Sequence, residues 1–203
     1  MKLLLAEDDA ILADALNSSL RKAGFDVFDE RCLWDDAACV NEVALDYLAV
    51  VREPFFLYLH YMDPHDQYIQ HASTPVFGKR ARDRYDSEVL FTDQHVGRLL
   101  DYLREQSYWD NTAIIVSADH GEAFGEHDMY KHGFELWEVL TRVPLLVYAP
   151  GVSPRTIDQR RSHIDLAPTI LDLMGIEQHP KSFQGRSFVE EIFGAEPDNR
   201  EPI

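Results

Sequence analysis

Hydrophobic positions along the chain alternate between short continuous runs and longer stretches of helical spacing. Residues 2–6 form the first run, compatible with a buried strand. Leu12, Ala15, Leu16, Leu20 and Ala23 then share one helical face, with Asp8 or Asp9 placed to cap it and Gly24 to close it. Phe25-Asp26-Val27-Phe28 reads as a second strand, which completes one strand–helix–strand crossover. Polarity rises at Asp29-Glu30-Arg31, and a second pattern begins near Asp35. Val40, Val43, Ala44, Tyr47, Leu48 and Val51 predict a helix that Pro54 stops, and Phe55–Leu59 a buried strand. Residues 63–82 read as a long loop. A helix is predicted over 86–104 with Val89, Val96, Leu100 and Leu103 inward, then strands at 113–116 and 145–148 separated by a loop over 121–142. Ala167, Ile170, Leu171 and Met174 mark a last helix closed by Gly175, and the chain turns polar beyond Phe193.

Strands alternating with helices predict an α/β fold with a mostly parallel sheet flanked by helices. The pattern divides into a strand–helix–strand piece at 1–30, a larger piece at 31–194 and a polar tail at 195–203. The 203 residues suit one good domain. A formal charge of −17 argues against nucleic acid and anionic membranes as partners, and no apolar run is long enough to span a bilayer. The opening residues meet Glu7-Asp8-Asp9 too soon for a signal-peptide core, so a cytoplasmic location is expected. Cys32 and Cys39 lie beside or inside a helical pattern, and they are expected not to be bridged.

Candidate chemistry sits at strand ends, where open α/β sheets place their sites. His60-Tyr61-Met62-Asp63-Pro64-His65-Asp66 follows one strand and Asp119-His120-Gly121-Glu122 the next; His127 and Lys131-His132 lie in the same loop. An adjacent Asp and His on a strand-end turn can face one ion, and that donor pair suits zinc, manganese or iron better than calcium. Gly121 lets the backbone approach closely. Lys131 and the histidines, set near a metal, would bind an oxyanion such as sulfate or phosphate. On spacing alone His65 reads rather as a loop histidine bonded to its own turn, and Lys131 rather as a solvated charge.

Four segments carry a resemblance: Pro54 to His65, Ile114 to Glu122, Arg142-Val143-Pro144-Leu145, and His163-Ile164-Asp165-Leu166-Ala167-Pro168-Thr169. In order and spacing they resemble the sulfatase family of the alkaline-phosphatase superfamily over residues 35–193, and Phe183–Phe188 resembles that family's Gly-x-Ser-hydrophobic segment. The resemblance implies an incomplete alkaline-phosphatase-like fold and metal-dependent hydrolysis of small-molecule sulfate, phosphate or phosphonate esters. By position, Asp119 and His120 match the metal-ligand pair, Lys131 the oxyanion-contacting lysine, and His65, with His132 nearby, the same pocket. Many sulfatases carry Asp-Asn there and bind calcium; Asp-His is similar to phosphonate-hydrolase and phosphoglycerol-transferase branches, which favour manganese or zinc. Family members are often periplasmic or secreted.

The sequence contains neither Cys-x-Pro-Ser-Arg nor Ser-x-Pro-Ser-Arg, the motif whose Cys or Ser becomes the formylglycine nucleophile in that family. In its place, Lys2 to Ala10 and Leu20 to Val27 resemble the start of a response-regulator receiver domain, whose acidic pair, here Asp8 and Asp9, binds magnesium. Asp8 and Asp9 could instead complete the metal cage of Asp119 and His120. Three readings follow: a sulfatase-family hydrolase fragment, a non-catalytic remnant that binds metal and oxyanion, and a truncated or chimeric chain with a receiver-like signalling start. An uncovered sheet edge or face predicts a marginal, aggregation-prone or homo-oligomeric chain unless residues 2–28 supply the cover.

Overall fold

The computed structural model describes residues 2–5, 32, 36–133, 135–177 and 183–197. One four-stranded sheet organises them. Its strands are β1 (Lys2–Leu5), β2 (Phe56–Tyr58), β3 (Thr112–Ser117) and β6 (Leu145–Tyr148), in the spatial order β2-β1-β3-β6. β1 pairs parallel with both β2 and β3, and β3 pairs antiparallel with β6. β1, which the pattern assigns to a separate strand–helix–strand piece, thus lies inside the sheet of the larger piece. Glu7-Asp8-Asp9 and the proposed helix and second strand that follow lie outside the described residues.

The sheet is covered on both faces, and β3 shows why. Ala113 and Ile115 pack into a core with Leu166, Ala167, Ile170 and Leu171 of α4 (Leu166–Leu173). Ile114, pointing the other way, packs with Val40, Ala44 and Leu48 of α1 (Ala37–Val50) and Leu99 and Leu103 of α2 (Ala81–Arg104). A strand with apolar residues on both faces needs cover on both sides, and the flanking helices provide it. β6 is covered on one face only: Leu145 and Val147 join the α4 core, while Leu146 on the other face is 59% exposed.

Two expectations are corrected. α2 begins at Ala81 rather than 86, and Val89 is exposed while Ser87, Glu88, Phe91, His95, Leu99 and Leu103 are buried. The inward stripe contains polar residues, so apolar spacing points to a rotated face. Asn41 of α1 donates to the His95 carbonyl (2.7 Å) and accepts from the Tyr61 hydroxyl (2.7 Å), which satisfies that polar packing. Cys32 and Cys39 are joined by a disulfide, with Cα atoms 5.9 Å apart. Asp36 caps α1 by accepting from Ala38 and Cys39 N–H (3.0 and 3.1 Å), so Cys39 sits in the first turn and faces the chain that precedes the helix. Helical periodicity does not report that contact. Disulfides persist in oxidising compartments and are rare in the reducing cytoplasm.

The loop between β3 and β6 holds more structure than its polar composition suggests. Ala123–Phe124 (β4) and Tyr130–Lys131 (β5) form an antiparallel pair, and Glu138–Thr141 (α3) is a single helical turn. No helix among the described residues is long and apolar enough to cross a membrane.

Asp83 anchors the start of α2. It accepts from Arg80 N–H (2.9 Å) and from both Arg80 Nε (3.1 Å) and an Arg80 terminal nitrogen (2.7 Å). The Arg80 guanidinium, helped by the Arg80 backbone N–H, holds the Asp83 carboxyl down at about 2. An unfolded Asp titrates near 3.9. A depressed carboxyl contributes stability that is complete above the unfolded value and lost as pH falls through the folded one. Asp83→Asn is therefore expected to lower the melting temperature at neutral pH, with the difference from wild type vanishing between roughly pH 4 and pH 2. Thermal unfolding across that range checks this; a difference that did not change with pH would contradict it.

Candidate active site

β1, β2 and β3 run parallel, so their carboxyl ends open on one edge of the sheet. The turn after β3 carries Asp119, His120 and Gly121. Gly121 N–H donates to the Leu140 carbonyl (2.7 Å). A Cβ on Gly121 would lie 2.0 Å from the Val139 carbonyl oxygen. Only a residue without a side chain brings this turn flush against α3. Ser117, at the end of β3, donates to the Pro144 carbonyl (2.9 Å) and lies 3.2 Å from His163 Nε2. Further on, Arg186 N–H donates to Asp165 (2.7 Å) and Phe188 N–H to Thr169 Oγ1 (3.1 Å). The segments 114–122, 142–145, 163–169 and 183–188 thus form one connected framework.

Asp119 Oδ1 accepts from His120 N–H (2.8 Å), and Asp119 Oδ2 lies 3.5 Å from His120 Nε2. His120 Nδ1 faces the Gly121 carbonyl at 2.8 Å. A carbonyl only accepts, so the proton is on Nδ1 and the Nε2 lone pair is presented to a ligand. Metal–ligand distances of about 2.0–2.4 Å put neighbouring ligand atoms roughly 3–3.5 Å apart. The pair fits one divalent ion. The donor set of one carboxylate oxygen and one imidazole nitrogen suits zinc or manganese.

Three more side chains gather beside it. The His132 ring lies 4.0 Å from the His120 ring and 5.4 Å from the His65 ring, centroid to centroid. His65 Nδ1 donates to the Asp66 carbonyl (2.8 Å), the bond to its own turn expected of a loop histidine, and its ring also stands in the pocket. His132 Nδ1 faces the Glu122 carboxylate at 3.2 Å, and Glu122 also accepts from the Tyr68 hydroxyl (2.5 Å). Burial, and then the Glu122 carboxylate, push the Tyr68 phenol well above its ordinary range. Lys131 is held by Asp66 Oδ2 at 2.6 Å. It has a positive φ of 67°, as do His127 and Asp128 in the same hairpin, a left-handed conformation that costs a non-glycine residue roughly 1–2 kcal/mol. His127 stacks on Trp137 at 3.9 Å.

Asp119, His120, His132 and His65 thus lie in one row of neighbours, and Lys131 is tied to Asp66, the residue after His65. Asp8 and Asp9 lie outside the described residues. Sequence reasoning did not single out Tyr68, Glu122 or Asp66 as positioning groups, nor a three-donor cluster of Asp63, His71 and Glu88. His71 was hidden in a loop rich in histidine, and Glu88 in a helix face read as apolar. Burial raises both the Asp63 and Glu88 carboxyl pKa values, opposed by backbone bonds from Ala37 and Ile69 respectively.

A sulfatase family model matches residues 33–176. The chain belongs to the sulfatase family. It is 32% identical over 151 residues to a choline-sulfatase of Rhizobium meliloti, covering 70% of this chain and 29% of that protein. It is 36% identical over 105 residues to an N-acetylglucosamine-6-O-sulfatase of Bacteroides thetaiotaomicron, covering 51% of this chain and 18% of that one. A phosphonate monoester hydrolase from Silicibacter pomeroyi superimposes with a TM-score of 0.69 at 21% identity, over 92% of this chain and 51% of that one. The chain thus spans about half of that solved structure and under a third of these curated relatives. Sulfatase-family enzymes use a divalent metal.

The receiver-like resemblance of residues 1–28 gains no support from these matches. Of that segment the structure describes only β1, which pairs with both β2 and β3. A short apolar run followed by acids is common to both families, which is why the sequence alone invited the other reading.

Two glycines make a contrast that tests the geometry of the turn. A Cβ on Gly97, within α2, meets nothing within 4 Å. Gly97→Ala is expected to stabilise the chain by about 0.5–1 kcal/mol through helix propensity. Gly121→Ala is expected to cost about 1–3 kcal/mol as the turn is forced off α3, and to weaken divalent-metal binding with it. Chemical denaturation and metal titration of both variants read this; a Gly121→Ala chain as stable as wild type would show that the close approach is not required.

Proposed function

We propose that the chain is the metal- and oxyanion-binding part of a hydrolase that cleaves sulfate, phosphate or phosphonate esters of small molecules. The observation that carries this reading is the 3.5 Å separation of Asp119 Oδ2 and His120 Nε2 at the end of β3, with Nδ1 of His120 tied to a carbonyl. Asp119 and His120 hold a divalent ion, manganese or zinc by donor type and calcium by analogy with other sulfatases. When bound, the ion supplies positive charge for the oxygens of the ester and for the charge that develops on them.

The rest is done by side chains of this chain. Lys131 donates to a peripheral oxygen of the ester, and the substrate anion takes the place of Asp66 as its partner. His132 Nε2 and His65 Nε2 line the same pocket, and each accepts a proton before donating to an oxyanion. Glu122 holds His132 Nδ1 so that Nε2 faces inward, and Tyr68 holds Glu122. A second reading, anion binding without turnover, rests on the sequence's having neither Cys-x-Pro-Ser-Arg nor Ser-x-Pro-Ser-Arg.

Calorimetric titration with sulfate and vanadate tests the oxyanion role. Loss of one charge-assisted hydrogen bond is worth about 1.5–3 kcal/mol, so Lys131→Ala is expected to weaken binding roughly tenfold to a hundredfold. Asp66→Asn is expected to tighten it by releasing Lys131. Metal analysis of Asp119→Ala/His120→Ala is expected to show one ion per chain fewer than wild type. Unchanged anion affinity in Lys131→Ala together with unchanged metal content would overturn the proposal. Metal-dependent release of product from aryl sulfate or aryl phosphonate esters separates the hydrolase from the binding-only reading.

A further inference from the structure

We propose that Asp63, His71 and Glu88 form a second divalent-cation site, of the zinc and manganese class, which clamps the loop between β2 and α2 onto α1 and α2. The three residues come from different places: Asp63 just after β2, His71 in the middle of the long loop, and Glu88 in α2. One donor atom from each lies within 4.8 Å of the others. Two carboxylate oxygens and one imidazole nitrogen suit zinc or manganese better than calcium.

Each ligand is fastened by a second contact that leaves a donor for the ion. Asp63 Oδ1 accepts from Ala37 N–H (3.1 Å). Asp63 Oδ2 is buried and has no hydrogen-bond partner among the described residues. Glu88 is 2% exposed; its Oε1 accepts from Ile69 N–H (2.6 Å), and its Oε2 faces His71 Nε2 at 2.5 Å. The His71 ring lies flat on Phe91, 3.7 Å between centroids and 2° between planes. Ligands held from behind in this way are what a metal centre requires. A purely structural network would account for the His71–Glu88 bond and for the cap on α1. It would leave the second Asp63 oxygen buried and unsatisfied, at a cost of about 1–3 kcal/mol. A cation uses that oxygen and replaces the proton between His71 and Glu88. Ligand atoms around one such ion sit roughly 3–3.5 Å apart, so His71 and Glu88 separate slightly as it enters.

The cluster opens on a cavity of about 290 Å³ whose lining includes Asp63, His65, Asp66, His71 and Glu88. That gives the ion a path from solvent. Asp119, His120, Lys131 and His132 are not among the residues lining it. The site is therefore separate from the Asp119–His120 pair. His65 and Asp66 belong to both neighbourhoods, because His65 stands beside His132 and Asp66 holds Lys131.

The test counts ions. The full chain is stripped with chelator, reloaded with Zn²⁺ or Co²⁺, and its metal content and cobalt visible spectrum are measured. His71→Phe keeps a ring for Phe91 and removes the donor nitrogen; Glu88→Gln keeps an oxygen for Ile69. Each is expected to bind one ion per chain fewer than wild type. The Asp119→Ala/His120→Ala chain is expected to retain one ion, whose cobalt spectrum is lost when His71→Phe is added. If His71→Phe and Glu88→Gln, folded by circular dichroism, bind as many ions as wild type, the proposal is overturned. Loss of all metal in Asp119→Ala/His120→Ala alone, from a chain that still folds, overturns it equally. Neither result depends on turnover, so failure of this site and failure of the hydrolase reading are told apart.

Discussion

The position of the Asp119–His120 turn depends on one backbone contact, the approach of Gly121 to Val139 and Leu140. β3 is the most enclosed strand described, packed by α4 on one face and by α1 and α2 on the other. Its end is therefore a fixed point, and the turn that leaves it inherits that rigidity only if it is held as well. The Gly121 to Leu140 hydrogen bond of 2.7 Å holds it from below. Ser117 ties the same strand end to the Pro144 carbonyl and to His163. Asp119 and His120 sit between these two anchors. Their 3.5 Å separation follows from the backbone, with the Nδ1 bond of His120 to Gly121 setting the ring. Preorganisation of this kind matters because a metal pair that must be assembled by the ion spends binding energy on ordering side chains.

Electrostatics set the second constraint. A chain of formal charge −17 repels the anionic esters proposed as its substrates. Attraction has to be local. Lys131 provides it, but Asp66 already neutralises that lysine at 2.6 Å. In the proposed function the pocket's positive charge then comes chiefly from the divalent ion. His65, His120 and His132 each have Nδ1 facing an oxygen acceptor, which leaves Nε2 as the nitrogen that can serve an ion or an oxyanion.

What the sequence made legible follows from what short-range pattern can carry. The helices and strands of the larger piece, and the row of Asp119, His120, His132 and His65, lay in contiguous motifs with strand ends to position them. The contents of the long loop did not, because His71, Glu88 and Asp63 become neighbours only through tertiary packing. The inward face of α2 was misread for a related reason: Ser87, Glu88 and His95 are buried polar residues that hydrophobic spacing cannot count. The Cys32–Cys39 bridge depends on the chain just before a capped helix, a local turn with no periodic mark. An apolar run ending in acids fits more than one family, and the pairing of β1 with β2 and β3 is a long-range contact that no local pattern reports.

The long loop also explains how the pocket is held without a large apolar core beneath it. Residues 59–80 contain no helix or strand, yet polar bonds fasten them at separate points: Asp63 to the start of α1, Tyr68 to Glu122, Ile69 to Glu88, and Thr74 to Ser87. Two of those fastenings end on carboxylates that also face a histidine: the other oxygen of Glu88 faces His71, and both oxygens of Glu122 face His132. The same short stretch therefore positions His132 through Tyr68 and Glu122 and the Asp63 cluster through Ile69 and Glu88. A cation at that cluster would stiffen the loop at His71, three residues from Tyr68, whose hydroxyl holds Glu122. The two neighbourhoods are in this sense one mechanical unit, and order at either is expected to be felt at the other.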